Sequence, residues 1–337
     1  AASDVYKRQI VLSDLTDIKG LGPKKAELLE EKGITTIEQV SIMEPEELQV
    51  ILGISRSQAE EILESANKLT EGKIRLMTAK DIYEIRKKTI KRIPTGSAAL
   101  DEMIGGGVPT CSLVGLFGRL GSGKTQTCYQ LIVNCMKYLG RKAAFIETEP
   151  QTLDLDRILQ MARDQGVDLN LEDIYVIPAE MIDSPEWLYK AYQFIHQRIL
   201  EGMDIGLIVI DSFNAPFTQT AREYLPNRSR EQRRHIGFLQ MLARKYNIAV
   251  VMTFQVMGVP DQGQQLQAKK DFGIMYPPVA SEAVKHGVNY WIALRRKAAA
   301  KGPLHEATLA DGPMPRATVE FIIDKIGIRD VGGRRGA

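Results

Sequence analysis

Gly118-Arg119-Leu120-Gly121-Ser122-Gly123-Lys124-Thr125 follows the apolar run Leu113-Val114-Gly115-Leu116-Phe117 and precedes a helical period over Gln126 to Tyr138. The eight residues satisfy G-x-x-x-x-G-K-[ST], and a buried strand passing through a Gly-rich turn into a helix is the setting in which that pattern cradles phosphate. Glycines at 118, 121 and 123 let successive backbone N–H groups turn inward as an anion nest, and the helix start adds its positive dipole end. Lys124 is placed to reach the β- and γ-phosphates and Thr125 to ligate Mg²⁺. The expected ligand is a nucleoside triphosphate.

Composition agrees. With 337 residues, 44% hydrophobic and 26% charged, the chain is long enough for one large α/β domain and one small domain. No stretch approaches 18 apolar residues and no basic-then-apolar leader opens the chain, so the expectation is a cytoplasmic protein with no membrane segment. Cys111, Cys128 and Cys135 form no C-x-x-C pair and read as free thiols. Residues 1–11 show no helix or strand period and read as disordered or as a scar.

The segment 12–70 contains a weak internal repeat. Ile18-Lys19-Gly20-Leu21-Gly22-Pro23-Lys24-Lys25 opens one helix and Leu52-Gly53-Ile54-Ser55-Arg56-Ser57 opens another. Each copy resembles half of the paired helix-hairpin-helix domain found on many DNA-processing proteins, in which backbone N–H groups at a helix start grip a phosphate; a plain helical bundle is the alternative. Residues 1–70 hold 13 acidic and 8 basic residues, so any DNA contact would be local, at Gly20, Gly22, Lys24, Lys25 and Gly53. A linker spans 71–92 and includes a basic helix from Lys80 to Lys91. Over 93–337, strand-like runs at 143–147, 174–177, 207–210, 248–253 and 290–294 alternate with helical ones, which predicts a mainly parallel sheet covered on both faces. The site then lies at the carboxyl ends of the strands.

Three of those ends carry polar groups. Asp211 closes Leu207-Ile208-Val209-Ile210 and is placed to hold Mg²⁺. Ala144-Phe145-Ile146-Glu147-Thr148-Glu149 supplies two carboxylates, either of which could activate a water. Gln255 ends a third strand and could sense a γ-phosphate. Beyond them, 218–245 carries seven basic residues against two acidic ones and reads as a flexible basic segment that is helical in part, suited to a phosphate backbone. Solvated arginines are the alternative there. Residues 258–278, with Lys269 and Lys270, have no clear period and read as a loop.

Taken in order, the paired hairpins, Leu76-Met77-Thr78-Ala79, Pro94-Thr95-Gly96-Ser97, Gly105-Gly106-Gly107, the phosphate loop through Gln126, Thr148-Glu149, Ile210-Asp211-Ser212, Gln255-Val256-Met257 and Asp311-Gly312-Pro313 resemble the archaeal RadA family of RecA-like strand-exchange ATPases. The resemblance runs from about Leu12 to Val331. It implies a RecA-like P-loop ATPase core behind a small all-α domain, and an ATP- and Mg²⁺-dependent recombinase that binds single- and double-stranded DNA as a homo-oligomeric ring or helical filament. It also implies ATP contacts through the loop, including Arg119, Leu120 and Ser122, and through Gln126 and Arg157, with Glu149 as catalytic base and Gln255 coupling nucleotide to DNA. The first DNA loop then falls around 218–234, with Arg222, Tyr224, Arg228, Arg230 and Arg233, and the second at 258–282. Asp311 and Pro313 resemble a cap over ATP in the adjacent protomer, and Leu76, Ala79 and His286 fall at self-assembly positions. Departures are Arg119-Leu120 for the usual acidic-aromatic pair, Phe254 for an amide residue, and Ala280-Ser281 for a glycine pair. They keep open a paralogue that regulates without exchanging strands and, further off, an ATPase acting on protein partners.

Overall fold

The computed structural model describes residues 15–31, 34, 36–41, 43–70, 77–219, 225–256, 276–297 and 303–332. Two compact units divide at Glu84 and Ile85, within the helix Ala79–Thr89.

The first unit is helical. Helices Pro23–Glu31, Ile37–Ser41, Pro45–Leu52 and Arg56–Thr70 bury Leu29, Val40, Leu48 and Ile62 in one small core. Local chemistry fixes their ends. Glu44 and Glu47 form a reciprocal capping box before Pro45, and Gly53 turns left-handed at φ +63 to end that helix. Gly20 has φ +91, and a Cβ there would lie 3.3 Å from Ile62 Cγ1, so the first hairpin turn needs glycine.

The second unit is an α/β sandwich. Strands β1 (Arg92–Ile93) and β2 (Val108–Pro109) form a two-stranded antiparallel ribbon. The main sheet contains β3 (Ser112–Phe117), β4 (Lys142–Glu147), β5 (Ile174–Ile177), β6 (Ile205–Asp211), β7 (Ala249–Phe254), β8 (Tyr290–Arg296), β9 (Leu304–Asp311), β10 (Thr318–Asp324) and β11 (Gly327–Asp330). Their order is β11-β10-β9-β8-β3-β7-β6-β4-β5, parallel from β8 through β5 and antiparallel beyond. The period of two divides each buried strand between two cores. Val114, Phe145 and Val209 pack under helices Lys124–Asn134 and Leu155–Asp164, while Phe117, Ile146 and Ile210 pack under Pro185–Leu200 and Leu225–Tyr246. The α/β reading with a mainly parallel sheet and an all-α first domain holds.

One feature differs from the sequence reading, the antiparallel extension β9 to β11. His305, Ala307 and Leu309 alternate as buried positions along β9, but a histidine and an alanine among them leave no hydropathy period, and β10 fully buries only Phe321. The helix read from Arg230 to Tyr246 within the basic segment is present and starts earlier, at Leu225; Ile236, Leu239, Leu242 and Ala243 recur at helical spacing and bury against the sheet. Among the described residues, no helix is long and apolar enough to cross a membrane.

Candidate nucleotide site and nucleic-acid interface

Strand register assembles the site. Phe117 pairs with Phe254 and Glu147 with Asp211, so Gly118, Glu149, Asp211 and Gln255 all emerge at one end of the sheet. The phosphate loop follows β3 directly. Gly123 takes φ +100 at the start of helix Lys124–Asn134, and a Cβ there would lie 2.5 Å from Ile323 Cδ1. The Lys124 ammonium donates to the carbonyls of Gly118 (2.9 Å) and Arg119 (3.3 Å). Burial lowers its pKa, opposed by the carboxylates of Asp211 and Glu149. A cavity of about 350 Å³ is lined by Gly121, Ser122, Lys124 and Gln126 on one side and by Arg296, His305 and Ile323 on the other. His305 Nδ1 lies 3.0 Å from the Ser122 carbonyl, which pins the loop to β9. Arg119 and Leu120 are exposed at the loop tip.

Behind the loop, Thr125 Oγ1 donates to Asp211 Oδ2 at 2.7 Å, and Thr253 Oγ1 donates to Asp211 Oδ1. Burial raises the pKa of Asp211, and the two hydroxyl bonds and Lys124 oppose that rise. Thr125 and Asp211 are a hard-oxygen pair of the kind Mg²⁺ takes, and the buried Ser122 Oγ has no hydrogen-bond partner among the described residues. These residues fit a phosphate chain with its cation. The two candidate carboxylates separate by what they touch. Glu147 is buried and its Oε1 accepts the backbone N–H groups of Thr152 (2.7 Å) and Leu153 (3.1 Å), so it holds the turn after β4. Glu149 Oε1 accepts from Ser212 Oγ (2.7 Å) and Gln255 Nε2 (3.0 Å), and its charge is near enough to act on the Lys124 ammonium. An oriented carboxylate next to a phosphate cradle can position a water and take its proton.

Other predicted positions are more dispersed. The Arg157 guanidinium is spent on Gln126 Oε1 (2.9 Å), Gln160 Oε1 (2.7 Å) and the carbonyls of Asp324 and Lys325, so it braces the turn between β10 and β11. That position was expected at ATP, and here it reaches the loop helix only through Gln126. Asp311, the last residue of β9, pairs with Trp291 and is exposed, as is Pro313 just beyond it, while the start of β9 adjoins the phosphate loop. The antiparallel run therefore carries them away from this chain's own loop. Arg230 and Arg233 are exposed and Arg228 is half-buried on helix Leu225–Tyr246, not on a loop. Arg222, Tyr224, Lys269, Lys270 and Leu76 lie outside the described residues.

In the first unit Gly20 and Gly53 make the turns, Gly22 accepts from the N–H groups of Lys25 and Ala26, Lys24 is exposed, and Lys25 Nζ turns back to the Gly20 carbonyl at 3.1 Å. Ala79 begins a helix capped by Thr78, whose hydroxyl and Asp81 bond reciprocally, so Thr78 and Ala79 are not in a strand. His286 is highly exposed, 3.9 Å from Glu282. Ser212 and Thr253 were missed as site residues. Their signal is a hydroxyl at the end of a buried strand beside an acidic partner.

A family model described as Rad51 matches residues 85–331, and one described as a SAM-like helix-hairpin-helix tandem matches residues 12–68. The DNA repair and recombination protein RadA of Aeropyrum pernix is 34% identical over 342 residues, covering 96% of this chain and 98% of that protein. Its namesake from Ignicoccus hospitalis is 32% identical over 335 residues, covering 94% and 96%.

Proposed function

The chain belongs to the Rad51 family, and from that membership we propose that it is an ATP-dependent recombinase of homologous recombination and DNA repair. It hydrolyses ATP, in a DNA-stimulated manner, in the cytoplasm. It assembles as a ring or filament on single-stranded DNA and pairs that strand with duplex.

The observation that carries the reading is the placement of Glu149 between Ser212 and Gln255, at the same end of the sheet as Lys124 and Asp211. Thr125 and Asp211 would hold Mg²⁺, whose charge offsets that of the phosphates. Lys124 leaves the Gly118 and Arg119 carbonyls for the β- and γ-phosphates, a stronger partner for an ammonium. Glu149 orients the attacking water and accepts its proton, which a phosphoryl transfer to water requires because the loose transition state otherwise lacks a placed nucleophile. Gln255 and Ser212 keep that carboxylate in position.

Two further observations support assembly. β5 is the last strand of the sheet, and among the described residues no strand pairs with its outer edge; Val176 on β5 and Trp187 and Phe194 on helix Pro185–Leu200 are exposed. An open edge beside exposed apolar side chains accepts an added strand. Asp311 and Pro313 lie away from their own phosphate loop, which suits a cap offered to a neighbour. DNA contact falls to Arg228, Arg230 and Arg233, to the neighbouring Arg222 and Tyr224, to Lys269 and Lys270, and to the hairpin turns at Gly20 and Gly53.

A joint-molecule assay with homologous single-stranded and duplex DNA tests the proposal. The protein is expected to form joint molecules with ATP, and Lys124→Ala to form none. ATP hydrolysis unaffected by single-stranded DNA, with no joint molecules, would refute it.

A further inference from the structure

The phosphate loop makes a second connection to the catalytic carboxylate. The guanidinium carbon of Arg119 sits 4.5 Å from the centroid of the Tyr276 ring. Tyr276 stands two residues before Pro278, which bridges Val256, and three before Val279, whose N–H donates to the Gln255 carbonyl at 2.9 Å. Gln255 in turn donates to Glu149 at 3.0 Å. At the other end, the Arg119 carbonyl accepts from Lys124 Nζ at 3.3 Å and from the Ser122 N–H at 3.1 Å. A continuous path of contacts thus runs from the phosphate-binding lysine through Arg119 and Tyr276 to the amide that holds Glu149.

We propose that Arg119 and Tyr276 are positioning residues for ATP hydrolysis, which tie the conformation of the phosphate loop to the placement of Gln255 against Glu149. The inference rests on the assignment of Glu149 under the proposed function. The chemistry favours a directional effect. Phosphate competes with the Gly118 and Arg119 carbonyls for the Lys124 ammonium, so a nucleotide changes the hydrogen bonding of Arg119's own peptide. A planar guanidinium lying over an aromatic face passes that change to Tyr276, and the attraction survives exposure because it needs no desolvated partner. The paired segment Gln255-Val256 with Pro278-Val279 is short and hydrogen-bonded, so a shift at Tyr276 is carried to Gln255 rather than absorbed.

The test is a double-mutant cycle on ATP turnover measured without DNA, using Arg119→Ala, Tyr276→Ala, the pair together, and Tyr276→Phe. Tyr276→Ala is expected to lower kcat about two- to fivefold, with KM for ATP unchanged within a factor of two. Tyr276→Phe keeps the ring face and is expected to retain the parent kcat. The double variant is expected to be no slower than the slower single one, since both substitutions remove the same cation–π pair. Multiplicative losses, or a Phe variant as slow as the Ala variant, would overturn the coupling. Stimulation by single-stranded DNA, followed in parallel on the parent protein, reports on the recombinase reading separately. A parent that is not stimulated but shows the cycle's coupling would count against that reading and for this pair.

Discussion

Glu149 Oε1 lies 3.0 Å from Gln255 Nε2, while Glu147, two residues earlier, turns its carboxylate onto backbone N–H groups of its own turn. Glu149→Gln is therefore expected to bind ATP with ordinary affinity and hydrolyse it about 10²- to 10⁴-fold more slowly, because only the proton acceptor is lost. Glu147→Ala leaves two backbone donors unpaired and should instead lower stability by about 1 to 3 kcal/mol. Single-turnover hydrolysis and thermal melting of both variants separate the roles. A normal rate for Glu149→Gln would refute the assignment.

The His235 ring is buried among Tyr189, Tyr192, Phe213 and Phe217, with its Nδ1 unpartnered among the described residues, and burial followed by the neighbouring Arg234 charge pushes its pKa down to about 3 from 6.5. The unfolded chain binds a proton there that the folded chain refuses between those values, so stability is fully present above pH 6.5 and is lost as pH falls toward 3. From about pH 7 to about pH 5 that loss amounts to about 2 kcal/mol. His235→Leu is expected to remove this part of the acid sensitivity, leaving the smaller contributions of His305 and His196, whose pKa values burial also lowers. Urea melts of both proteins at the two pH values measure the difference. Equal pH dependence would contradict it.

Positive charge on one face of a helix can be a solvated surface or a polyanion site, and Arg230 and Arg233 decide between them. Both are exposed, three residues apart on helix Leu225–Tyr246. Arg230→Ala with Arg233→Ala is expected to weaken single-stranded DNA binding and to reduce the slope of log affinity against log salt by up to about 0.7 for each phosphate no longer neutralised. Lys24→Ala with Lys25→Ala should change the slope less, given the acidic excess around them. Fluorescence anisotropy at several salt concentrations reads both. An unchanged slope in the arginine pair would make that face a solvated one.

The legible parts of this molecule were those where chemistry and position coincide along the chain. Gly118 to Thr125, the strand ending at Asp211 and the strand ending just before Gln255 each announce an element and the place of a polar group, because a buried strand stops where a polar side chain must reach solvent. Strand position alone left Glu147 and Glu149 open, and only the resemblance favoured Glu149, since the difference depends on whether a carboxylate meets the turn at Thr152 or Ser212 and Gln255 across the sheet. The same holds for Arg157, whose guanidinium is claimed by carbonyls some 170 residues away in sequence. β9 escaped notice because its alternately buried positions are His305, Ala307 and Leu309, a set in which hydropathy does not alternate although burial does. Arg141, bonded to Asp204 and to the carbonyls of Ile205, Tyr246 and Asn247 at the opposite end of the sheet, gave no signal at all.

Assembly gives the last prediction. The resemblance makes Leu76-Met77-Thr78-Ala79 a segment that adds to a neighbour's sheet, which requires the first turn of helix Ala79–Thr89 to open, and β5 offers an outer edge that no strand pairs among the described residues. Leu76→Ala with Ala79→Glu should remove the donor; a glutamate in the first turn of helix Ala79–Thr89 suits its dipole, so the helix itself is retained. Val176→Glu with Phe194→Glu should remove the acceptor, because charge on an edge strand opposes strand addition. Truncating an apolar anchor in a filled pocket costs about 2 to 5 kcal/mol, a loss repeated at every interface of a filament. Each double variant alone is expected to be a monomer that still binds ATP through Lys124 but hydrolyses it poorly, lacking the neighbour's Asp311 and Pro313. An equimolar mixture keeps one intact donor and one intact acceptor and should form heterodimers and nothing larger. Size-exclusion chromatography with light scattering distinguishes these states, and rings or filaments from either variant alone would refute this mode of assembly.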